Sequence, residues 1–277
     1  MTLIIDSGYT QWDPASITTA LWLDAADETT LFTTDSGSTL ATNGTTVGRW
    51  VDKSGNSRNA AQSTPGLRPT YTTSAFNGKN VLTFPGSTYR ALNISSLPLQ
   101  DTVTIIAVFE NAVQFGSGSI HKPVLGCTST DVNVSNSTGY TFGKSVSSDA
   151  GARISVPSDE PNTTNVSTSY AAAGGTYEIV AGTNAAGSVS LLRNGVVAAS
   201  DTVTNRTSGW VTGYSIGYSL GSADSRFYTG NLCEIIALTA SPLLATTQRL
   251  EGYLAHKWGL TANLPSDHPY KTVGPTP

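Results

Sequence analysis

At 277 residues the chain can bury a full core, as one large domain or two small ones, and all-β sandwiches of this size are commonly single domains. Charged residues make up only 12%, about half the globular norm of roughly 25%, so the surface is neutral and rich in hydroxyl and amide groups. A formal net charge of −4 with no basic cluster excludes nucleic acid as a partner, because a phosphate backbone is held by clustered Lys and Arg.

The N-terminal stretch MTLIIDSGYTQWDPAS has no basic n-region, no apolar core of about 7–15 residues and no small-residue cleavage site. It predicts synthesis in the cytoplasm, unless the chain is a piece of a larger exported protein. No run approaches the roughly 18 apolar residues of a membrane span, so no membrane contact is expected. Residues 1–16 hold an apolar patch, Leu3-Ile4-Ile5, followed by Tyr9 and Trp12. Two readings stand open for them: an edge strand of the chain's own sandwich, or an arm that docks on a neighbouring subunit by strand addition.

From there the chain reads as a succession of short strands. ALWLDA (20–25), GRWVD (48–52), NVLTF (80–84), TVTIIAVFE (102–110), YTFGK (140–144), ARISV (152–156), TYEIVAG (176–182), SVSLLRNGVVAAS (188–200), YSIGYS (214–219) and LCEIIAL (232–238) are separated by Gly, Asn, Ser and Pro. This spacing predicts a β-sandwich. Asn194-Gly195 and Asn77-Gly78 predict tight turns, because both residues tolerate the positive φ of a type I′ hairpin. The stretch 111–175, richest in Ser, Thr, Asn and Gly, is expected to form long loops around a few strands. Cys233 lies in a buried-strand pattern and is read as a free thiol; with Cys127 it could form one bridge at most.

Helical periodicity is confined to one segment. Leu243, Thr247, Leu250, Leu254 and Trp258 recur on one stripe, Ser241-Pro242 supply an N-cap and first residue, and Gly259 stands where a terminating glycine belongs. The spacing predicts a helix over about 242–258, followed by a strap over 259–271 in which Pro265 and Pro269 fix extended geometry. Gly252, costing about 1 kcal/mol relative to Ala inside a helix, predicts a close approach of the helix backbone to a sheet.

Candidate chemistry is sparse. His256 and His268 are separated by too much intervening chain to form an H-x-x-x-H pair, and no G-x-S-x-G elbow or activated cysteine accompanies them; both are read as structural. The turn DKSGNSRN (52–59) offers Asp52, the Ser54 hydroxyl and Asn56 as oxygen ligands of the kind Ca²⁺ takes. The competing reading, which Lys53 and Arg58 favour by their charge, is that Asp52 and Asn56 bond the turn's own amides. No other cofactor is expected. Trp12, Trp210, Tyr214 and Tyr218 are the aromatic faces on which a glycan could stack, against the general tendency of sandwich aromatics to be core.

The stretch LEGYLAHKWGLTANLP-x-x-HPYK (250–271), with LWLDAAD (21–27), W-x-DKSGN-x-x-NA (50–60), RPT (68–70) and NG-x-x-VLTF (77–84), resembles the signature of a family of laminin-G-like jelly-roll domains of the concanavalin-A-like lectin/glucanase type. SLLRNGVVAA and FYTGNLCEIIAL are similar to that fold's hairpin and final strand. The resemblance implies an all-β, two-sheet antiparallel jelly roll with one C-terminal helix, as a single domain over 17–277. In it Leu250, Leu254 and Trp258 bury the helix, and the strap through His268 and Tyr270 clasps the chain end down. A laminarinase-type hydrolase would need E-x-D-x-x-E to set two carboxylates about 5–5.5 Å apart. That triplet does not occur, and Asp159-Glu160 are adjacent residues with diverging side chains, so no enzyme is expected. Domains resembling this family occur in bacteriophage structural proteins and in bacterial surface proteins. The expected function is therefore a virion structural protein, a capsid decoration or fibre component made in the host cytoplasm, with weak glycan affinity. Its expected partners are other virion proteins, its own subunits, or cell-surface glycans. A lectin-like module of a bacterial surface protein, extracellular or at the cell surface, is the alternative, and a laminarinase-type hydrolase the third reading.

Overall fold

Branched and aromatic side chains fit the pleated, half-buried surface of a sheet, and here Gly, Asn and Pro cut them into short strands. The structure, a computed structural model, describes residues 12–85, 89–111, 122–128, 139–146, 150–157, 164–167, 175–204, 208–219, 227–240 and 244–277. Leu3-Ile4-Ile5, Tyr9, Asp159-Glu160, Ser241-Pro242 and Leu243 lie outside the described residues.

The strands are β1 (Leu21–Asp24), β2 (Leu31–Phe32), β3 (Arg49–Trp50), β4 (Ala60–Ala61), β5 (Thr70–Phe76), β6 (Lys79–Phe84), β7 (Leu92–Ile94) and β8 (Thr102–Asn111). They continue as β9 (Lys122–Cys127), β10 (Thr141–Val146), β11 (Ala150–Val156), β12 (Thr164–Ser167), β13 (Thr176–Ala185), β14 (Ser188–Arg193), β15 (Val196–Thr202), β16 (Tyr214–Ile216) and β17 (Gly230–Leu238). One helix, α1 (Leu244–Trp258), follows. An eight-stranded sheet runs β15-β14-β13-β8-β17-β6-β5, with β1 added on β17; a nine-stranded sheet runs β12-β11-β10-β9-β16-β7-β4-β3-β2. The chain thus forms the expected two-sheet antiparallel jelly-roll sandwich with a C-terminal helix.

Period-two alternation sends Ile105, Ala107, Phe109, Val180, Leu191 and Ile235 of one sheet, and Leu92, Leu125, Phe142, Ile154, Tyr214 and Ile216 of the other, into a common core. A second apolar layer lies on the far side of the eight-stranded sheet. There Val81, Ile106, Val108, Ile179 and Ile236 meet Leu250, Leu254 and Trp258 of α1. Burying each of these large side chains contributes roughly 1.5–3 kcal/mol.

Both predicted Asn-Gly turns form. Asn77 and Gly78 have φ of 48° and 76°, and Asn194 and Gly195 have 49° and 85°, the positive values that a type I′ turn demands. β5 and β9 were not anticipated from sequence, nor were the two- and three-residue β2, β4 and β7. These last acquire strand geometry only from their neighbours.

Helix α1 ends as its sequence requires. Gly259 takes φ +69°, and the Leu260 amide reaches back to the Ala255 carbonyl at 2.8 Å, closing a Schellman-type cap. Asn77 Nδ2, from the β5–β6 turn, donates to the Trp258 carbonyl at 2.7 Å and satisfies another helix-end acceptor. Gly252 is corrected in one respect: a Cβ there would strike the side chain of Tyr270, so the close approach is made by the strap and not by the sheet. Lys271 anchors the same strap, its ammonium donating to the carbonyls of Thr261 (2.8 Å), Ala262 (2.9 Å) and Leu264 (2.6 Å). Cys127 and Cys233 are both buried. Burial, with Glu234 and Glu110 nearby, pushes the Cys233 thiol well above its usual range, so it stays protonated and unreactive. Among the described residues no helix is long and apolar enough to cross a membrane.

Candidate functional site

The residues that make the C-terminal signature conspicuous converge beneath α1. On β17 a bulge at Cys233 inserts one extra residue opposite β8 and aims Glu234 outward, under the helix. Pairing of β1 with β17 sets Asp24 opposite Glu234 and Trp22 opposite Ile236. From above, α1 lowers Tyr253, Lys257 and Trp258. Glu234 Oε1 accepts from Trp22 Nε1 (2.7 Å) and Tyr253 OH (3.0 Å); Oε2 accepts from Trp258 Nε1 (2.8 Å) and pairs with Lys257 Nζ (2.7 Å). Lys257 also pairs with Asp24 (2.7 Å) and donates to the Tyr253 hydroxyl (3.0 Å). The second Asp24 oxygen holds Lys53 (2.9 Å), which continues to Asp27 (2.8 Å).

Electrostatics mark this as a closed joint. Burial, seconded by the Asp24 charge, raises the Glu234 carboxyl above the carboxylate range, while Lys257 and the Trp22 bond pull the other way. Burial opposes the Lys53 ammonium, yet Asp24 and Asp27 outweigh it and hold its pKa above the usual value. Glu234 is 0% exposed, and its two oxygens have four partners. It has no capacity left for a substrate.

The clasp residues named from sequence sit on the same side. Leu250, Leu254 and Trp258 are buried in the layer between helix and sheet. His268 is buried in the strap: its Nδ1 accepts the Tyr270 amide (3.2 Å), so Nε2 carries the hydrogen and faces buried Glu251 at 3.4 Å. His256 Nε2 donates to the Tyr270 carbonyl (2.9 Å). Among the described residues neither histidine belongs to a group of three His, Cys, Asp or Glu side chains.

In the 52–59 turn each Asp52 oxygen already accepts two bonds. Oδ1 takes the amides of Trp22 (3.0 Å) and Ser54 (2.9 Å); Oδ2 takes the Ser54 hydroxyl (2.7 Å) and the Arg58 amide (3.0 Å). Asn56 turns its amide nitrogen to the Thr19 carbonyl and to the Ser54 hydroxyl, both at 2.8 Å. These bonds engage the carboxylate of Asp52 and the hydroxyl of Ser54 and tie the turn to the start of β1. Among the described residues no three His, Cys, Asp or Glu side chains group so as to hold a metal.

Two of the four proposed aromatic platforms are corrected. Trp12, 2% exposed, packs edge-on against Tyr253 (6.1 Å), and its amide donates to the Pro275 carbonyl (3.2 Å), so both ends of the described chain meet beside α1. Tyr214 is 0% exposed within the core, where its hydroxyl accepts the Tyr140 amide (3.2 Å). Neither can offer a face to a ligand. Trp210 is half-buried and stacked parallel to Tyr140 (5.8 Å, 13°); Tyr218 is half-buried and tilted against Tyr89 (4.3 Å).

A polar row that the sequence reading missed lies on the outer face of the eight-stranded sheet, one step along β17 from the joint. Register sets Thr83 opposite Asn231, and Glu110 opposite Tyr177, across β6, β17, β8 and β13. The Thr72 and Thr83 hydroxyls share a bond (2.7 Å), Thr83 donates to Asn231 Oδ1 (2.7 Å), and Asn231 Nδ2 donates to the Tyr177 hydroxyl (2.8 Å). Glu110 Oε2 accepts the Asn231 amide (3.0 Å). Tyr177 also stacks flat on Phe76 (3.6 Å, 9°). All six residues are half-exposed. Burial of its ring is the main cause that lifts the Tyr177 hydroxyl to about 12, the Asn231 bond opposing it, so the phenol keeps its hydrogen and can donate outward. The signal in the sequence was faint: polar residues at the ends of strands whose apolar middles drew the assignment.

No family model matches the chain, and no curated protein matches it. Among solved structures it is similar to domain 4 of AbnA, a GH43 extracellular arabinanase from Geobacillus stearothermophilus, in complex with arabinotriose. The identity is 13% over 70% of this chain and 88% of that one, with a TM-score of 0.51. It is similar also to the receptor binding domain of botulinum neurotoxin C/D mosaic serotype (10% identity, 84% of this chain and 51% of that one, TM-score 0.54). A third is the binding domain of Paraclostridial Mosquitocidal Protein 1 (10% identity, 76% and 50%, TM-score 0.54). The chain spans about half the length of these two toxin structures. At such identities the likeness is one of fold: this chain shares the jelly-roll-like β-sandwich of these domains.

Proposed function

We propose that this chain is a non-catalytic module of the laminin-G-like type that binds neutral glycans through the row Thr83, Asn231, Glu110 and Tyr177. The observation that carries the reading is the row itself. It combines amide, carboxylate and hydroxyl groups, already oriented by one another, with the stacked Phe76–Tyr177 pair at half exposure. Sugars are held by this mixture, an apolar ring face beside fixed polar groups, and pre-orientation lowers the ordering cost of binding. Glu110 is the one carboxylate in the row, whereas glycoside hydrolysis uses a pair. The likeness to an arabinanase domain in complex with arabinotriose supports the ligand class.

The finer reading places the module on a virion, as a capsid decoration or fibre component, in keeping with its neutral, hydroxyl-rich composition. A lectin-like role at a bacterial surface is the second reading, favoured by the likeness to a domain of an extracellular enzyme.

Titration calorimetry with arabino- and β-gluco-oligosaccharides tests the proposal. Glu110→Gln and Asn231→Ala are expected to weaken binding at least about tenfold, each loss of that size being about 1.4 kcal/mol, with no reducing ends released by the wild-type chain. Unchanged affinity in both variants would sink the assignment of the row.

A further inference from the structure

A lysine, an aspartate and a glutamate meet at reacting distance in the joint beneath α1. Lys257 Nζ lies 2.7 Å from Asp24 Oδ1 and 2.7 Å from Glu234 Oε2. The β1–β17 register sets Asp24 directly opposite Glu234, so both carboxyls share one face of the sheet, and α1 brings the amine to them from above. Asp24 and Glu234 are 3% and 0% exposed. The rings of Tyr253 and Trp258 wall the nitrogen at 5.3 and 5.5 Å, and the Trp22 indole bonds Glu234.

A surface ion pair is hydrated and inert, and this one differs in two respects. Charges taken out of water are costly even when paired, so joining ammonium to carboxylate as a neutral amide removes two buried charges at once. Packing also holds the amine against the carboxyl, which replaces a bimolecular encounter by an intramolecular one, with a third group beside the same nitrogen able to take its proton.

We propose that Lys257 and Asp24 condense after folding into an intramolecular isopeptide bond that ties β1 to α1, with Glu234 carrying the proton. Glu234 takes one proton from the Lys257 ammonium; burial, seconded by Asp24, raises its carboxyl, so it accepts that proton more readily than a surface carboxylate does. The lone pair freed on Nζ attacks Asp24 Cγ. Lys53, 2.9 Å from Oδ2, stabilises the negative charge that gathers there, and Oδ2 remains as the amide oxygen. The bond from Cγ to Oδ1 then breaks, and Oδ1 leaves as water with the proton from Glu234 and a second one from Nζ. Ammonium and carboxylate thus become amide and water, Glu234 is regenerated, and no co-reactant is consumed. Lys53 does not compete as nucleophile: burial opposes its charge, but Asp24 and Asp27 outweigh burial and keep it an ammonium. The bond would staple the first strand to the last helix, beside the meeting of Trp12 with Pro275.

Mass spectrometry of the denatured full chain tests it. The wild type is expected to be one water lighter than its sequence, and digestion with a protease that cuts after lysine should spare Lys257 and release a branched peptide that joins it to Asp24. Lys257→Arg, which keeps the cation but has no amine to condense, and Glu234→Gln, which keeps the shape but cannot carry the proton, should both return to the full mass. A wild-type chain at full mass overturns the proposal, as does a deficit that persists in Lys257→Arg, since the water would then have been lost elsewhere. A bond that still forms in Glu234→Gln overturns the part given to Glu234. None of these readouts depends on glycan binding.

Discussion

Glu234 and Glu110 occupy the same outer face of the same sheet, on the adjacent strands β17 and β8, and yet belong to opposite kinds of environment. Glu234 is closed over by α1, with four partners on two oxygens and no exposure. Glu110 stands past the end of the helix at half exposure, with one oxygen engaged by the Asn231 amide. The bulge at Cys233 separates them by re-aiming Glu234 beneath the helix. Residue types associated with chemistry, Trp, Asp, Glu, Lys and Tyr, are thus spent on architecture where the helix covers them, and Glu110 and Tyr177 stay partly open to solvent where it does not.

The sharpest way to break this contrast is to open the joint. Lys257→Met leaves Asp24 and Glu234 buried beside one another without their shared cation, and should cost about 3–5 kcal/mol, as removal of one partner of a buried ion pair does. Trp258→Ala, which empties a large aromatic site and leaves Glu234 Oε2 with Lys257 alone, should cost about as much, roughly 3–5 kcal/mol. Denaturant unfolding measures both; a cost under about 1 kcal/mol for Lys257→Met would show that the joint does not hold the helix.

Gly252→Ala reads the strap. On helix propensity alone it should stabilise by about 1 kcal/mol, but the new methyl would collide with Tyr270, so a loss of about 1–3 kcal/mol from overpacking is expected. Tyr270→Ala in the same chain should reverse the sign.

Alkaline pH gives a more graded test. Burial raises the hydroxyls of Tyr214, Tyr228 and Tyr253, and lifts Tyr177 to about 12, against about 10 in an unfolded chain. Their contribution is fully present below pH 10. Above it the unfolded chain ionises while the folded chain does not, so stability falls as pH rises through 12. Phenolate absorbance from these rings should appear together with the loss of near-ultraviolet circular dichroism; ionisation well before unfolding would contradict their burial.

The smallest effect is expected at the Asp52 turn. With its carboxylate already bonded to three amides and a hydroxyl, chelation by EDTA should leave the melting temperature unchanged. A fall of several degrees, restored by Ca²⁺ and abolished in Asp52→Ala, would reverse that reading.

Much of this architecture was legible beforehand, for local reasons. The α1 stripe, the Gly259 terminus and both Asn-Gly turns depend on periods and dihedral preferences that act within a few residues. Two- and three-residue strands such as β2 and β7 carry no period of their own. Trp12 and Tyr214 were indistinguishable from surface rings, because an aromatic side chain in a sandwich suits core and platform alike until its neighbours are known. Glu234 did leave a trace. A carboxylate inside LCEIIAL is a charge in an apolar run, and such a charge must find partners or be neutralised.

By itself the sequence determined the class of fold, the single helix and its stripe, the two tight turns and the neutral, hydroxyl-rich surface, all consequences of local pattern and composition. Tertiary structure alone decided which polar residues are joint and which are row. That choice rests on antiparallel register and one bulge, which bring residues more than a hundred positions apart within hydrogen-bond distance, as Glu234 is to Trp22 and Asn231 to Glu110. No periodicity along the chain encodes such a pairing.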